Sequence, residues 1–308
     1  MKPYAVGEPL ILQHIARGKT LRQGMMHDGL GLGLANLGAG KIFYVDGNAG
    51  NNNNSGVIPT EPWKTIKHAL TKCVDYRNDY ILVLDHYQET FPISVNKASV
   101  HIIAIAPYTV APLMPMVYLT ASGDTTIFNI AADFVEIAGF EFGAGASHGG
   151  IEWTATKGYG WIHDCAFGRM QTGQDGIKVP AGFDAVEMVI SDCIFGSGLT
   201  RHGIFIDHNM TRGLIQDNIF RAVTGAAINV DQMSNGIIRR NRFMLPSDLT
   251  GGAITLAAAV AGVYVSENQA NFGGTDSMAN IPWVVTGGAG DGVTFDNNKT
   301  AGVVDYPA

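Results

Sequence analysis

From Thr126 to Thr300 apolar and polar residues alternate with period two, in runs of three to five, and short related segments return along the chain. Aligned on their aromatic, these are IAGFEF (Ile137 to Phe142), IHDCAF (Ile162 to Phe167), ISDCIF (Ile190 to Phe195), IQDNIF (Ile215 to Phe220), IRRNRF (Ile238 to Phe243), VSENQA (Val265 to Ala270) and FDNNKT (Phe295 to Thr300). Their starts lie 25, 28, 25, 23, 27 and 30 residues apart. A second strand-like element keeps the same beat between them, from TIF at Thr126 through GIEW, GIKV, GIFI, AINV and AITL to WVVT at Trp283. Period two without an intervening amphipathic helix predicts short strands, and the repeat length is too short for a four-stranded propeller blade. The pattern therefore predicts an all-β solenoid, a parallel β-helix in which each turn adds one strand to each of two or three sheets.

In such a coil equivalent residues stack about 4.8 Å apart, so a repeated residue type becomes a column. The aromatic position (Phe142, Phe167, Phe195, Phe220, Phe243) predicts an internal stack. The neighbouring position (Asn218, Asn241, Asn268, Asn298) predicts an asparagine ladder whose amides bond from turn to turn. Ahead of the coil, residues 1–40 keep neither period and read as an arm ordered by a partner or oligomer, with Ile11, Leu12 and Leu21 as its anchoring side chains. Residues 41–75 read as a first strand and a capping helix, in which Ile66, Ala69, Leu70 and Cys73 recur at helical spacing. Residues 76–308 read as the β-helix. Pro107 to Pro115 must loop outside it, because proline cannot sit in a central strand, and Asn271 to Pro282 reads as an insertion between the last two turns.

One stretch carries a more specific signal. Tyr44-Val45-Asp46-Gly47, the Asn-rich loop to Ser55-Gly56, then Pro62-Trp63-Lys64-Thr65-Ile66 and Ala69-Leu70 resemble the entry motif of pectin-lyase-like right-handed β-helix proteins. Tyr80 to Glu89 is similar to the strand and Tyr-x-Glu turn that follow in that superfamily. With the coil, the resemblance covers residues 41–300. It implies a first strand and a helix plugging the open end of the coil. For function it implies a range, since the superfamily holds pectate lyases, polygalacturonases, epimerases, phage tailspikes and catalytically silent virion proteins.

Composition narrows the partners. A net charge of −7 with no basic stripe argues against nucleic acid, and the only basic cluster, Ile238 to Arg242, reads as solvated surface charge. No run is long and apolar enough for a membrane span, and the N-terminus lacks a signal-peptide core, so the expectation is assembly in a host cytoplasm without a membrane partner. Three cysteines give no disulfide framework. Cys165 and Cys193 share a position on adjacent turns and read as buried thiols. No cofactor motif or metal-ligand spacing is present, so neither is expected.

Candidate chemistry lies in carboxylates. Asp164, Asp192 and Asp217 precede the Cys/Asn column on consecutive turns, followed there by Arg240 and Glu267. Asp207 and Asp231 share a position after the second strand, near His202 and His208. Either set has the residue types of an acid/base pair, but turn chemistry also asks for Asp at a repeated corner, and the polygalacturonase and lyase signatures are missing. Phe205 reads as an outward aromatic, whereas Trp153 shares its position with Val179, Ile206 and Val230 and reads as core. The expected function is a non-enzymatic virion component of a tailed phage, a decoration (cement) or spike protein. It would be a homotrimer, held to the major capsid or another virion protein through residues 1–40. The alternatives are a polysaccharide depolymerase of tailspike type and a glycan-binding adhesin.

Overall fold

The computed structural model describes residues 40–85, 89–105, 117–120, 125–143, 149–169, 175–196, 199, 201–223, 225–246, 252–273, 283–285 and 292–300. Residues 1–39, with Ile11, Leu12 and Leu21, lie outside the described residues, as do Pro107 to Pro115. Three parallel sheets wind around one interior. The first runs from Ile42–Val45 to Thr294–Asp296 in ten strands, the second from Val117–Thr120 to Lys299–Thr300 in eight, and the third from Ile93–Val95 to Trp283–Val285. In each sheet the strand order follows the chain order, which is the topology of a right-handed parallel β-helix.

Register explains why the repeat is legible. In the first sheet Ile81, Ile102, Ile137, Ile162, Ile190, Ile215, Ile238 and Val265 pair one above another and point inward, fully buried or nearly so. A tight corner then turns the chain into the second sheet. Its leading residue has positive φ on turn after turn: Gly139 (79°), Asp164 (53°), Asp192 (56°), Asp217 (59°), Arg240 (54°), Glu267 (56°) and Asn297 (49°). The next position faces inward and holds the asparagines. In Asn218, Asn241 and Asn268 the Nδ2 donates to the Oδ1 of the next asparagine at 3.0 Å and to a first-sheet carbonyl, while Oδ1 accepts the backbone N–H of the turn before. Each buried amide is thereby saturated.

Two residues further on the phenylalanines stack. Ring centroids are 4.7 Å apart from Phe142 to Phe167, 4.8 Å to Phe195, 4.7 Å to Phe220 and 4.9 Å to Phe243, with planes within 14° of parallel. Third-sheet glycines make room for them: a Cβ on Gly150 would sit 2.7 Å from the Phe167 ring, on Gly176 2.9 Å from Phe195 and on Gly203 2.6 Å from Phe220. Cys165 and Cys193 precede the asparagines in the same column and are buried free thiols. Asn271, which reads from sequence as the start of an insertion, instead continues the strand Gln269–Gly273, paired with Arg242–Pro246. The remainder of that segment, 274–282, lies outside the described residues.

At the other end the helix Ile66–Lys72 packs Ile66, Ala69 and Leu70 into the coil. Thr65 caps it by accepting the His68 N–H, and Asn52 Oδ1 accepts the Lys64 and Thr65 N–H groups, so the Asn-rich loop fixes the helix entry. Trp63 is buried beneath the loop, its indole N–H on the Asn54 carbonyl. Glu89 accepts the Lys67 N–H at the same helix start. Burial holds its carboxyl up at about 7 despite that bond, and its second oxygen has no partner among the described residues.

Candidate functional site

The corner carboxylates are engaged by the fold. Asp164, Asp192 and Asp217 stand in a left-handed column whose other members are Gly, Arg, Glu and Asn, so what the position selects is backbone conformation. Asp217 is held by the Arg240 guanidinium through two hydrogen bonds of 2.8 Å, and Asp164 accepts from His163. An open groove of about 450 Å³ follows this corner, lined by Asp217, Ile219, Arg240, Arg242, Glu267 and Asn297.

The outer face of the third sheet holds the second set. Asp175, nearly buried, binds Arg201 at 2.8 Å and His202 Nδ1 at 2.9 Å. The Arg201 guanidinium lies 5.6 Å from the centre of the Phe205 ring and the His202 imidazole 4.7 Å from it. Phe205 does point outward, pairing with Lys178 and Asn229, but it is only 9% exposed under these two side chains and is no open stacking platform. Asp207 and Asp231 are not strict register partners. Ile206 pairs with Val230 and Asn209 with Gln232, so Asp207 and His208 together oppose Asp231 across a bulge. Burial raises the Asp231 carboxyl above its ordinary range, the Asp207 charge adds to this and His202 opposes it. His208 turns away to Asp184 at 2.9 Å. Trp153 is buried in the core.

One cluster has no counterpart in the sequence pattern. On the outer face of the first sheet Glu136 bridges two histidines, accepting His101 Nδ1 on one oxygen and His163 Nε2 on the other at 2.8 Å. His163 Nδ1 reaches Asp164 at 2.8 Å, and all four residues are buried. Tyr80 stacks on His101 at 4.2 Å and Trp161 on His163 at 3.7 Å. Burial alone would raise the Glu136 carboxyl, but the bonds from His101 and His163 override it and hold it down at about 2. Burial alone would lower His163, but its bonds to Asp164 and Glu136 carry it up to about 9. Glu136 and His163 are thus ionised across the neutral range, and the cluster locks neighbouring turns together. Among the described residues no group of three or more His, Cys, Asp or Glu is arranged to hold a metal ion, and no helix is long and apolar enough to cross a membrane.

Comparison with known proteins places the fold. No protein-family model matches the sequence, and no curated protein is significantly similar to it. Among solved structures, the alginate lyase of Paenibacillus sp. str. FPU-7 superposes with a TM-score of 0.52 at 16% identity, over 77% of this chain and 92% of that one. ORF18 of Geobacillus virus E2 follows at 0.40 and 12% identity over 77% and 58% of the two chains. The tailspike protein of E. coli bacteriophage HK620 gives 0.35 and 11% over 83% and 57%. The superposition on the alginate lyase shows a shared fold, the parallel β-helix.

Proposed function

We propose that the chain is a rigid, non-enzymatic shaft of a tailed-phage particle, a capsid decoration or spike protein. In this reading residues 1–40 fix it to the major capsid or another virion protein, and three copies assemble. The observation that supports it is the use the fold makes of its repeated residues. The asparagine and phenylalanine columns are spent on saturating and stiffening the interior, and the aspartate column on corner geometry, so what repeats along the coil serves its rigidity. The test is to add purified protein, with and without residues 1–40, to particles lacking it. Loss of association in the truncated chain, with its thermal transition unchanged, is the expected result, and equal association by both chains would refute the anchoring role. Sedimentation of the free protein at the mass of one copy would refute the trimer.

A second reading has one observation in its favour. The raised carboxyl of Asp231 beside Asp207 is the charge asymmetry that an acid/base pair uses on a glycosidic bond. It predicts release of reducing ends or unsaturated sugars from a host surface polysaccharide, lost in Asp207→Asn; intact polysaccharide after incubation with the parent protein excludes it.

A further inference from the structure

A sheet with one face to the core and one to water places polar residues outward, and one outward column of this coil does not. In the first sheet Trp161, Val189, Leu214, Ile237 and Tyr264 pair one above another on five successive turns. They alternate with the inward isoleucines, so they point away from the core. Trp161, Val189, Leu214 and Ile237 are half-buried, and Tyr264 is 39% exposed. The corresponding columns of the other sheets are broken by charge, at Glu152 and Lys178 in the third and at Arg242 in the second. Four rungs of about 4.8 Å make this one an apolar ridge about 19 Å long. Below Trp161 the column reaches Glu136, but that carboxylate is buried between His101 and His163.

The margins of the ridge say what fits against it. Two residues before it, at the corner, stand Arg212 on the Leu214 turn and Asn235 on the Ile237 turn; two residues after it stand Gln216 and Arg239 on the same two turns. Arg212 is paired within the chain, to Glu187 at 2.8 Å. Arg239 donates to the neutral Gln216 Oε1 at 3.0 and 2.9 Å, which leaves its charge uncompensated. A side chain beside a rotation axis meets copies of itself, so an axis accepts apolar residues and excludes charge, which is the composition of this ridge. The margins then fix the direction. With coils parallel and turns level, the corner margin of one copy faces the far margin of the next on the same turn. Arg212 meets Gln216 and Arg239 meets Asn235, so each guanidinium lies opposite an amide. With one coil turned end for end about Leu214, Arg212 meets Arg212.

We infer that this ridge is where copies of the chain meet, coils parallel and turns level, with Trp161, Val189, Leu214, Ile237 and Tyr264 along the common axis. The inference rests on the three-copy reading above and adds to it the surface, the direction and the register. Parallel coils also bring their N-terminal ends to one side, as attachment through residues 1–40 requires. A segment of the same chain would cover the apolar crest equally well, but it would give no reason for the two margins to match each other turn by turn.

Sedimentation velocity of the full-length protein over a range of concentrations reads the assembly. The parent should run at the mass of three copies. Leu214→Glu and Ile237→Lys each set three like charges around the axis and should weaken association about a hundredfold or more, with far-UV circular dichroism unchanged. Asn229→Glu, on the outward face of the third sheet, should keep three copies. Tyr264→Cys should be joined to its own copy by a bismaleimide too short to span the about 19 Å of an end-for-end arrangement, since the three native cysteines are buried. This cross-link is made on a chain altered only at an exposed position, so it decides the case even where a charged variant does not fold. A parent of one copy at every concentration overturns the three-copy reading and this inference with it. Three copies in both charged variants overturn the inference alone, and a lower Tm in those variants would then put a segment of the same chain on the ridge. Failure of Tyr264→Cys to cross-link in a three-copy assembly overturns the parallel register.

Discussion

Removing one amide from the asparagine ladder gives the sharpest test of what holds the coil. Asn241 is fully buried. Its Oδ1 accepts the Asn218 N–H at 3.1 Å and Asn218 Nδ2 at 3.0 Å, while its own Nδ2 donates to the Ile215 carbonyl at 3.1 Å and to Asn268 Oδ1 at 3.0 Å. Asn241→Ala deletes all four bonds and leaves two donors of Asn218 buried without an acceptor. At about 1–3 kcal/mol for each orphaned group the cost is about 2–6 kcal/mol. For a chain of 308 residues the entropy of melting is about 0.65 kcal/mol/K, so Tm should fall by about 3–9 °C. Differential scanning calorimetry at one fixed heating rate reads this out. Asn229→Ala, on the outward face of the third sheet, is the matched control and should stay within about 1 °C of the parent. Equal Tm values for the two variants would show that water or a shifted backbone satisfies these groups, and the ladder would lose its place in the argument for rigidity.

Four further outcomes follow from the same geometry. Gly203→Ala places a methyl 2.6 Å from the Phe220 ring and 2.8 Å from the Ala227 carbonyl, and should cost about 1–3 kcal/mol, seen as a Tm lower by about 2–5 °C. Asp217→Gly relaxes the left-handed corner while losing an exposed ion pair and should leave Tm within about 1 °C, whereas Asp217→Val should lower it by about 2–3 °C. The Glu136 lock stabilises the fold above pH 4.5 and is lost as pH falls towards about 2, while the His163 contribution is complete below pH 6.5 and is lost as pH rises through about 9. A plot of Tm against pH should bend at both ends and lose its acid limb in Glu136→Gln. Glu89 works in the opposite sense to Glu136: its carboxyl is raised, so its contribution is complete below pH 4.5 and fades as pH rises through about 7, and Glu89→Gln should abolish that slope.

The coil could be read from the sequence because its inward columns repeat one residue type. Phe167, Phe195, Phe220 and Phe243, or Asn218, Asn241 and Asn268, meet the same surroundings on every turn, and selection for the same contact leaves the same letter. Outward positions carry no such constraint. His101, Glu136 and Trp161 pair as neighbours in one column of the first sheet, but three different residues in succession give no period to notice. The His101–Glu136–His163 lock was therefore invisible until register brought together residues 27 and 35 positions apart. Asp207 and Asp231 show the converse, since counting from the preceding strand aligns them while the bulge after Ile206 offsets them.

The asparagine ladder also has a direction. Each amide hands one side-chain N–H forward, from Asn218 to Asn241 to Asn268 to Asn298, and the other back to a carbonyl of the turn before, so each forward oxygen arrives on the later turn. A turn already in place thus keeps one amide N–H and one backbone N–H open until its successor is laid down on it. A chain emerging from the ribosome with its N-terminal end first supplies those successors in the required order. Assembly turn by turn then leaves a single unsatisfied front at any moment, closed by the next segment to appear, so the order of synthesis is itself a route to the finished shaft.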